Sequence, residues 1–353
     1  MAETLTIIST QMQLVNAIEY LSSTKGELYN HLIICTSTRR RKKQLSSLLD
    51  KPYYAKVFQK VDYLRYGGGS RIKSYWVTLC LKYGISRIIK KATAFDLIII
   101  GNYLSIIHRY VQYLCWKKNE DLKFIVVDDG TATTEAVVIR EKEKHDNKLV
   151  YYGRSKYLVK IFLTKFSSFK FFVPHSLTFF SIYDKLNYSN DDTFVKCDYV
   201  YLKNQVNRFI AREELGLVII GQPLIAEGFL SKDRYNQSIT DYLINHYGDK
   251  KGKVVYVPHP IEKVDESLSE TLKESVLIVR PDVPFEMWAL CTEIKSVVGF
   301  YSSALVNLRY FLPTIPIVSL CPSEIINSKE YDCQEAIQAY KYFFEIGIDI
   351  IHI

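Results

Sequence analysis

Short apolar runs, four to six residues long and rich in β-branched side chains, recur along this chain between stretches of helical periodicity. The runs are 5–9, 32–36, 97–101, 124–128, 217–221, 254–258, 276–279, 296–299 and 315–320. A strand that is apolar on both sides belongs in a parallel sheet covered by helices on both faces. The stretches 11–23, 71–91, 106–118, 236–247, 284–292 and 303–311 carry the helical spacing between them. This alternation predicts an α/β protein built on doubly wound parallel sheets. The pattern breaks in the aromatic, basic segment 151–210 and restarts at 216–221. A length of 353 residues suits two domains. The expectation is therefore two Rossmann-like domains, 1–207 and 208–353, facing a central cleft.

Composition removes several classes. With 48% hydrophobic and 24% charged residues, the chain can bury a real core. Its 15 Gly and 10 Pro leave no room for long low-complexity linkers. Seven Cys, an odd number with no C-x-x-C pair, argue against a zinc ribbon or a disulfide framework and suit a reducing compartment. The N-terminus lacks the basic-then-apolar pattern of a signal peptide. No apolar run reaches the roughly 18–20 residues of a membrane span. A cytoplasmic location is expected.

The net charge of +8 is unevenly spread. Residues 63–95 hold seven bases and no acid, and 39–43 are five consecutive bases. Residues 151–180 hold five bases (Arg154, Lys156, Lys160, Lys165, Lys170), ten aromatics and no acid. Bases among aromatics suit a nucleic-acid groove or an anionic membrane surface. They also suit an ordinary solvated helix face. The spacing of Phe162, Phe166 and Phe169 puts three rings on one helical face, for lipid or for the core.

Doubly wound sheets bind ligands beyond the carboxyl ends of their strands, so the residues after each apolar run carry the chemistry. Asp128-Asp129-Gly130 follows one run; a carboxylate there can act as a general base, although Asp-Gly is also a common turn. Pro258-His259-Pro260 follows another, and a His braced by two prolines can meet a phosphate or protonate a leaving group. Ser302-Ser303 opens a helix, where free N–H groups and hydroxyls can hold an anion or Ser simply caps the helix. Gly221 and Gln222 follow the first strand of the second domain, where a glycine lets a ligand approach the backbone. Glu286, after Pro284, can hold ribose hydroxyls.

Each signal is weak alone, but their order resembles the bacterial sialyltransferases and polysialyltransferases. That family has a two-acid-Gly motif, a His-Pro motif and a Ser pair near the donor phosphate. Gly221-Gln222-Pro223-Leu224, and the opening Ser9-Thr10-Gln11 leading into Asn16, are similar to the capsule polysialyltransferase and lipooligosaccharide sialyltransferase branches. The resemblance implies an inverting, metal-independent GT-B enzyme that transfers sialic acid from CMP-sialic acid to a surface glycan. It implies Asp128 as general base and His259 assisting CMP departure. Gly221, Gln222, Pro260, Pro284, Glu286, Ser302 and Ser303 join His259 on the donor side. Thr10, Gln11, Asn102, Asp129 and Gly130 lie on the acceptor side. No cofactor, metal or nucleic acid is expected. The expected partners are the donor, an oligosaccharide or lipid-linked acceptor and an anionic membrane surface, with attachment to the inner face of the cytoplasmic membrane. Alternatives are another CMP-linked nonulosonic or Kdo-type sugar, a UDP-hexose, a nucleotide-sugar 2-epimerase, or a non-enzymatic basic nucleic-acid or lipid-binding protein.

Overall fold

The computed structural model of the chain describes residues 2–24, 28–51, 54, 56–66, 71–92, 94–130, 132–150, 168–206, 214–247, 252–327 and 331–353. The chain divides into two compact units, Met1–Leu202 and Lys203–Ile353.

The first unit is a seven-stranded parallel sheet ordered β3-β2-β1-β4-β5-β6-β7. Its strands are β1 (Ala2–Ile8), β2 (Leu28–Thr36), β3 (Lys60–Arg65), β4 (Leu97–Ile100), β5 (Lys123–Val127), β6 (Thr178–Ser181) and β7 (Thr193–Lys196). The helices are α1 (Gln11–Ser23), α2 (Arg39–Leu49), α3 (Arg71–Lys91), α4 (Ile106–Trp116) and α5 (Ala132–Asp146). The second unit is a six-stranded parallel sheet ordered β11-β10-β9-β13-β14-β15. It contains β9 (Leu217–Ile220), β10 (Val254–Val257), β11 (Leu277–Ile278), β13 (Val297–Gly299), β14 (Ile317–Cys321) and β15 (Asp349–His352), with a small separate pair of β8 (Glu214–Leu215) and β12 (Glu293–Ile294).

Every apolar run singled out from the sequence lies in one of the two main sheets. Three expected helices, Gln11–Ser23, Arg71–Lys91 and Ser303–Phe311, carry the expected bounds. The strands missing from the sequence reading are mostly edges. β3 and β7 carry Lys60, Arg65, Thr193 and Lys196 on exposed positions and Asp62 on a half-buried one. An edge strand has one unpaired side and tolerates such charge, so no apolar run marks it. Helix α2 begins inside the five-base run, whose polarity hides the buried Leu45 and Leu48.

In both sheets the winding reverses between the first and fourth of the doubly wound strands: β1 and β4 in one, β9 and β13 in the other. Chains leaving these neighbours turn to opposite faces and open a crevice at their carboxyl ends.

Two buried ion pairs tie the helices of the first unit: Arg140 holds α5 to the β6–β7 side of the sheet, and Arg109 holds α4 to α5. The Arg140 guanidinium on α5 donates to both carboxylate oxygens of Asp192, each at 3.0 Å, and to the carbonyls of Pro174 and His175. Arg109 on α4 donates to Glu143 at 2.9 Å, and the Tyr103 hydroxyl donates to the same oxygen at 2.5 Å. Removing one member of a buried pair leaves an uncompensated charge and costs about 3–5 kcal/mol. Arg140→Ala is expected to lower unfolding stability by that order in urea titrations. A loss below about 1 kcal/mol would show that the pair is replaceable by water.

Candidate active site

Asp128, Asp129 and Gly130 follow β5, and Gly130 has φ 64, a left-handed conformation that glycine adopts freely. The turn separates the two acids. Asp128 is 3% exposed, and its carboxylate accepts from the Ser181 hydroxyl at 2.6 Å and the Ile182 N–H at 2.8 Å. Its carbonyl accepts from Asn16 Nδ2 at 3.0 Å, and Asn16 Oδ1 accepts from the Tyr199 hydroxyl at 2.6 Å. Burial pushes the Asp128 pKa up to about 7, against the pull of the hydrogen bonds from Ser181 and Ile182.

Asp129 is the half-buried member. Gln13 Nε2 donates to its Oδ1 at 2.6 Å, and the Asn102 side-chain amide donates to its Oδ2. Burial raises its pKa to about 6; the two amides and the charge of Arg41 act against that rise. Gln13 is fixed at both ends, because its Oε1 accepts the Ser9 N–H at 2.6 Å. A side chain at position 101 would collide with Gln13, so Gly101 is what lets Gln13 reach across to Asp129.

His108 on α4 stands behind this group, fully buried, with its pKa lowered to about 3 by desolvation. The imidazole is therefore neutral. The Asn102 N–H donates to Nδ1 at 3.1 Å, so the ring proton sits on Nε2 and is donated to Ser9 Oγ at 3.0 Å. His108 thereby holds together the ends of β1 and β4 where the sheet order reverses.

In the second unit, His259 and Pro260 follow β10; His259 is half-buried and Pro260 exposed. The His259 N–H donates to Glu262 Oε2 at 3.0 Å. Ser302 caps the nine-residue helix Ser303–Phe311, accepting from the Ala304 N–H at 3.3 Å, and both serines are half-buried. Glu286 is 6% exposed and accepts from Asn307 Nδ2 at 2.7 Å. Burial raises its pKa.

The structure thus gathers Asp129, Gly130 and Asn102 with Ser9 and Gln13 in the first unit. The Thr10 hydroxyl caps α1, accepting from the Gln13 N–H at 3.3 Å. Several sequence expectations change. Asp128 is locked inward. Asn16, at the end of the opening segment, is buried beneath it. Gln11 Nε2 points to the Gln44 carbonyl at 3.4 Å and braces α1 against α2. Pro284 is buried, and Glu286 is taken up by Asn307 instead of facing a ribose. The space beside Gly221 is filled by Tyr256 and Glu262, so its missing side chain serves packing rather than close ligand approach. Gln222 is half-buried, and its Oε1 is buried without a hydrogen-bond partner among the described residues. Sequence reasoning missed Gln13, His108 and Glu262, which belong to no short motif and gain their partners only by folding.

Two parallel, doubly wound units in one chain are the GT-B architecture of glycosyltransferases and related nucleotide-sugar enzymes. Solved structures agree on the fold. The chain is similar to UGT89C1 of Arabidopsis thaliana complexed with UDP-L-rhamnose, at 11% identity and TM-score 0.55, covering 99% of this chain and 84% of that one. It is similar to the UDP-GlcNAc 2-epimerase from Neisseria meningitidis bound to UDP-GlcNAc, at 10% identity and TM-score 0.54, covering 99% and 95%. It is also similar to the S. aureus MnaA–UDP structure, at 12% identity and TM-score 0.54, covering 98% and 88%. No curated protein matches the sequence. The family model for alpha-2,8-polysialyltransferase (POLYST) matches residues 4–321, and the chain belongs to that family. It is a glycosyltransferase.

The raised pKa of Asp128 has a stability consequence of fixed sign. A carboxyl with a folded pKa near 7 and an unfolded value near 4 contributes most below the unfolded value, and that contribution is lost as pH rises through about 7. Asp128→Asn is expected to keep the fold, because the Ser181 hydroxyl can turn to accept from the new amide. The melting temperature of the native protein, relative to this variant, is expected to fall between pH 4 and 7.5. A constant difference across that range would mean that Asp128 does not titrate there.

Proposed function

We propose that this enzyme transfers sialic acid from CMP-sialic acid to a glycan acceptor, with inversion and without a metal, using Asp129 as general base. The observation that carries the base assignment is the divergence of the paired acids. Asp128 has both oxygens satisfied inside the protein, whereas Asp129 is half-buried beside polar groups at the sheet's reversal point. In this reading Asp129 takes the proton of the acceptor hydroxyl as that oxygen attacks the anomeric carbon of the donor. CMP departs as its phosphate charge is met by the His259 imidazole and the Ser302 and Ser303 hydroxyls at a helix N-terminus. Pro260, exposed beside His259, gives the cytosine ring an apolar contact. Gln222 Oε1, buried and unpartnered among the described residues, is suited to accept a hydrogen bond from the donor. Glu286 holds Asn307, and so the helix behind Ser302, in place.

Incubation with CMP-sialic acid and labelled acceptors, read by mass, tests the activity. Asp129→Asn is expected to lose roughly 100- to 10,000-fold in rate, and Asp128→Asn far less. The reverse ranking would return the role to Asp128. The base must be ionised, so kcat/KM is expected to fall as pH drops through about 6. An ordinary carboxylate would hold the rate until about pH 4.

On the donor side, His259→Ala and the double variant Ser302→Ala with Ser303→Ala are each expected to weaken CMP binding about tenfold or more, since each removes hydrogen bonds to a charged group. Unchanged affinity in both would remove this loop pair from the donor site. UDP, present in structures of similar fold, is the comparator; tighter binding of UDP than CMP would change the donor. The same assay in excess EDTA is expected to retain activity, and loss restored by magnesium would overturn the metal-free reading.

The acceptor in this reading is a capsule or lipooligosaccharide chain on the inner face of the cytoplasmic membrane, where the enzyme attaches peripherally. No helix among the described residues is long and apolar enough to cross a membrane. Arg154, Lys156, Lys160, Phe162, Lys165 and Phe166 lie outside the described residues. Phe169 is fully buried against Tyr110 and Tyr113, so it packs on the core instead of reaching lipid. The support comes from α3, which exposes Trp76 (62%) and Tyr83 (71%) beside Arg87, Lys90 and Lys91. Each base near an anionic surface contributes about 1 kcal/mol. Anionic vesicles are expected to float the enzyme at low salt, and Trp76→Glu with Tyr83→Glu to abolish flotation. Absence of flotation in the native protein would exclude membrane attachment.

A further inference from the structure

Beneath the loops that follow β9 and β10 runs a continuous chain of buried hydrogen bonds. The Gln222 N–H donates to Tyr235 Oη at 3.2 Å. The Tyr235 and Tyr256 hydroxyls are 2.9 Å apart, and Tyr256 donates to Glu262 Oε1 at 2.5 Å. Glu262 Oε2 accepts the His259 N–H at 3.0 Å. Tyr235 is fully buried, Tyr256 1% exposed and Glu262 5% exposed.

The polarity of this chain is fixed at both ends. A backbone N–H can only donate, so Gln222 occupies a lone pair of Tyr235, and His259 occupies one oxygen of Glu262. An ionised carboxylate can only accept, so Tyr256 gives its proton to Glu262 and must receive one from Tyr235. One arrangement of protons satisfies every member when Glu262 is ionised; burial raises its pKa, and the hydrogen bonds from Tyr256 and the His259 N–H act against that rise. Arg280 donates to the Glu262 carbonyl at 3.1 Å, which places a positive charge nearby. A Cβ at position 221 would overlap both Tyr256 and Glu262, so Gly221 is what admits the chain between the loops.

We propose that Glu262, with Tyr235 and Tyr256, is a positioning group for the nucleotide donor. It sets the Gln222 and His259 loops at one fixed separation, so that both loops meet the donor without being ordered by it. This rests on the reading of His259 as a donor-phosphate ligand.

The isosteric Glu262→Gln tests the proposal. An amide cannot accept on both sides. It presents a donor either to the His259 N–H or to Tyr256, and reversing Tyr256 leaves the Tyr235 proton without an acceptor. CMP affinity, measured by calorimetry, is expected to fall roughly tenfold. The KM for CMP-sialic acid is expected to rise while the KM for acceptor stays unchanged. Partial unfolding alone would lower kcat and leave both KM values where they are. Tyr235→Phe, which removes the acceptor of the Gln222 N–H without leaving a buried charge, is the second variant if the first fails to fold. It is expected to change the donor KM in the same direction.

His259→Ala separates the two claims. CMP affinity lost in His259→Ala but kept in Glu262→Gln and Tyr235→Phe overturns the positioning role. Affinity lost in the latter two but kept in His259→Ala supports a positioning role exerted through the Gln222 loop and overturns the part that runs through the His259 imidazole. Affinity kept in all three overturns both.

Discussion

The carboxylate of Asp128 is the point on which the first unit's site depends. It lies at the end of β5, accepts from Ser181 and Ile182 at the end of β6, and its own carbonyl holds Asn16 on α1. Through Asn16 and Tyr199, the segment after β7 is drawn into the same cluster. A buried carboxyl of this kind is costly unless its oxygens are met, and meeting them fixes where three loops leave the sheet. With Asp128 fixed, the turn at Gly130 leaves Asp129 facing Gln13 and Asn102.

Two adjacent residues of identical chemistry are therefore given different surroundings. Asp128 has its partners inside the strand ends. Asp129 is held by side-chain amides, which donate to its oxygens and leave further lone pairs available. Burial lifts both pKa values into the range from about 6 to about 7, where a carboxyl can exchange protons near neutrality. The second unit follows the same rule with other residues. Glu262 and Glu286 are buried carboxyls that position their neighbours, while His259, Pro260, Ser302 and Ser303 retain access to solvent. In both units a buried acid holds the loops, and more accessible polar groups lie beside it.

Much of this was legible in the sequence, because a parallel sheet covered on both faces needs unbroken apolar strands, and these stand out in any reading. The central strands, the helices with clear apolar spacing, the two-unit organisation and the Asp-Asp-Gly, His-Pro and Ser-Ser motifs were all accessible. Edge strands such as β3 and β7 were not, because one open side removes the demand for apolar residues. The basic start of α2 hid its helix for a similar reason: only Leu45 and Leu48 are buried.

The sequence by itself determined the architecture and marked the short motifs at the strand ends, since burial periodicity and motif order are local properties of the chain. Only the tertiary structure decided which residue in each stretch is reachable. Asp128 and Asp129 are equivalent on paper, and the Ser181 hydroxyl and Ile182 N–H that separate them lie more than fifty residues away. Gln13, Gly101, His108 and Glu262 acquire their roles through partners brought from other strands and helices. Hydrogen-bond partners at long range, and the burial that gives those bonds their weight, exist only once the sheets have formed.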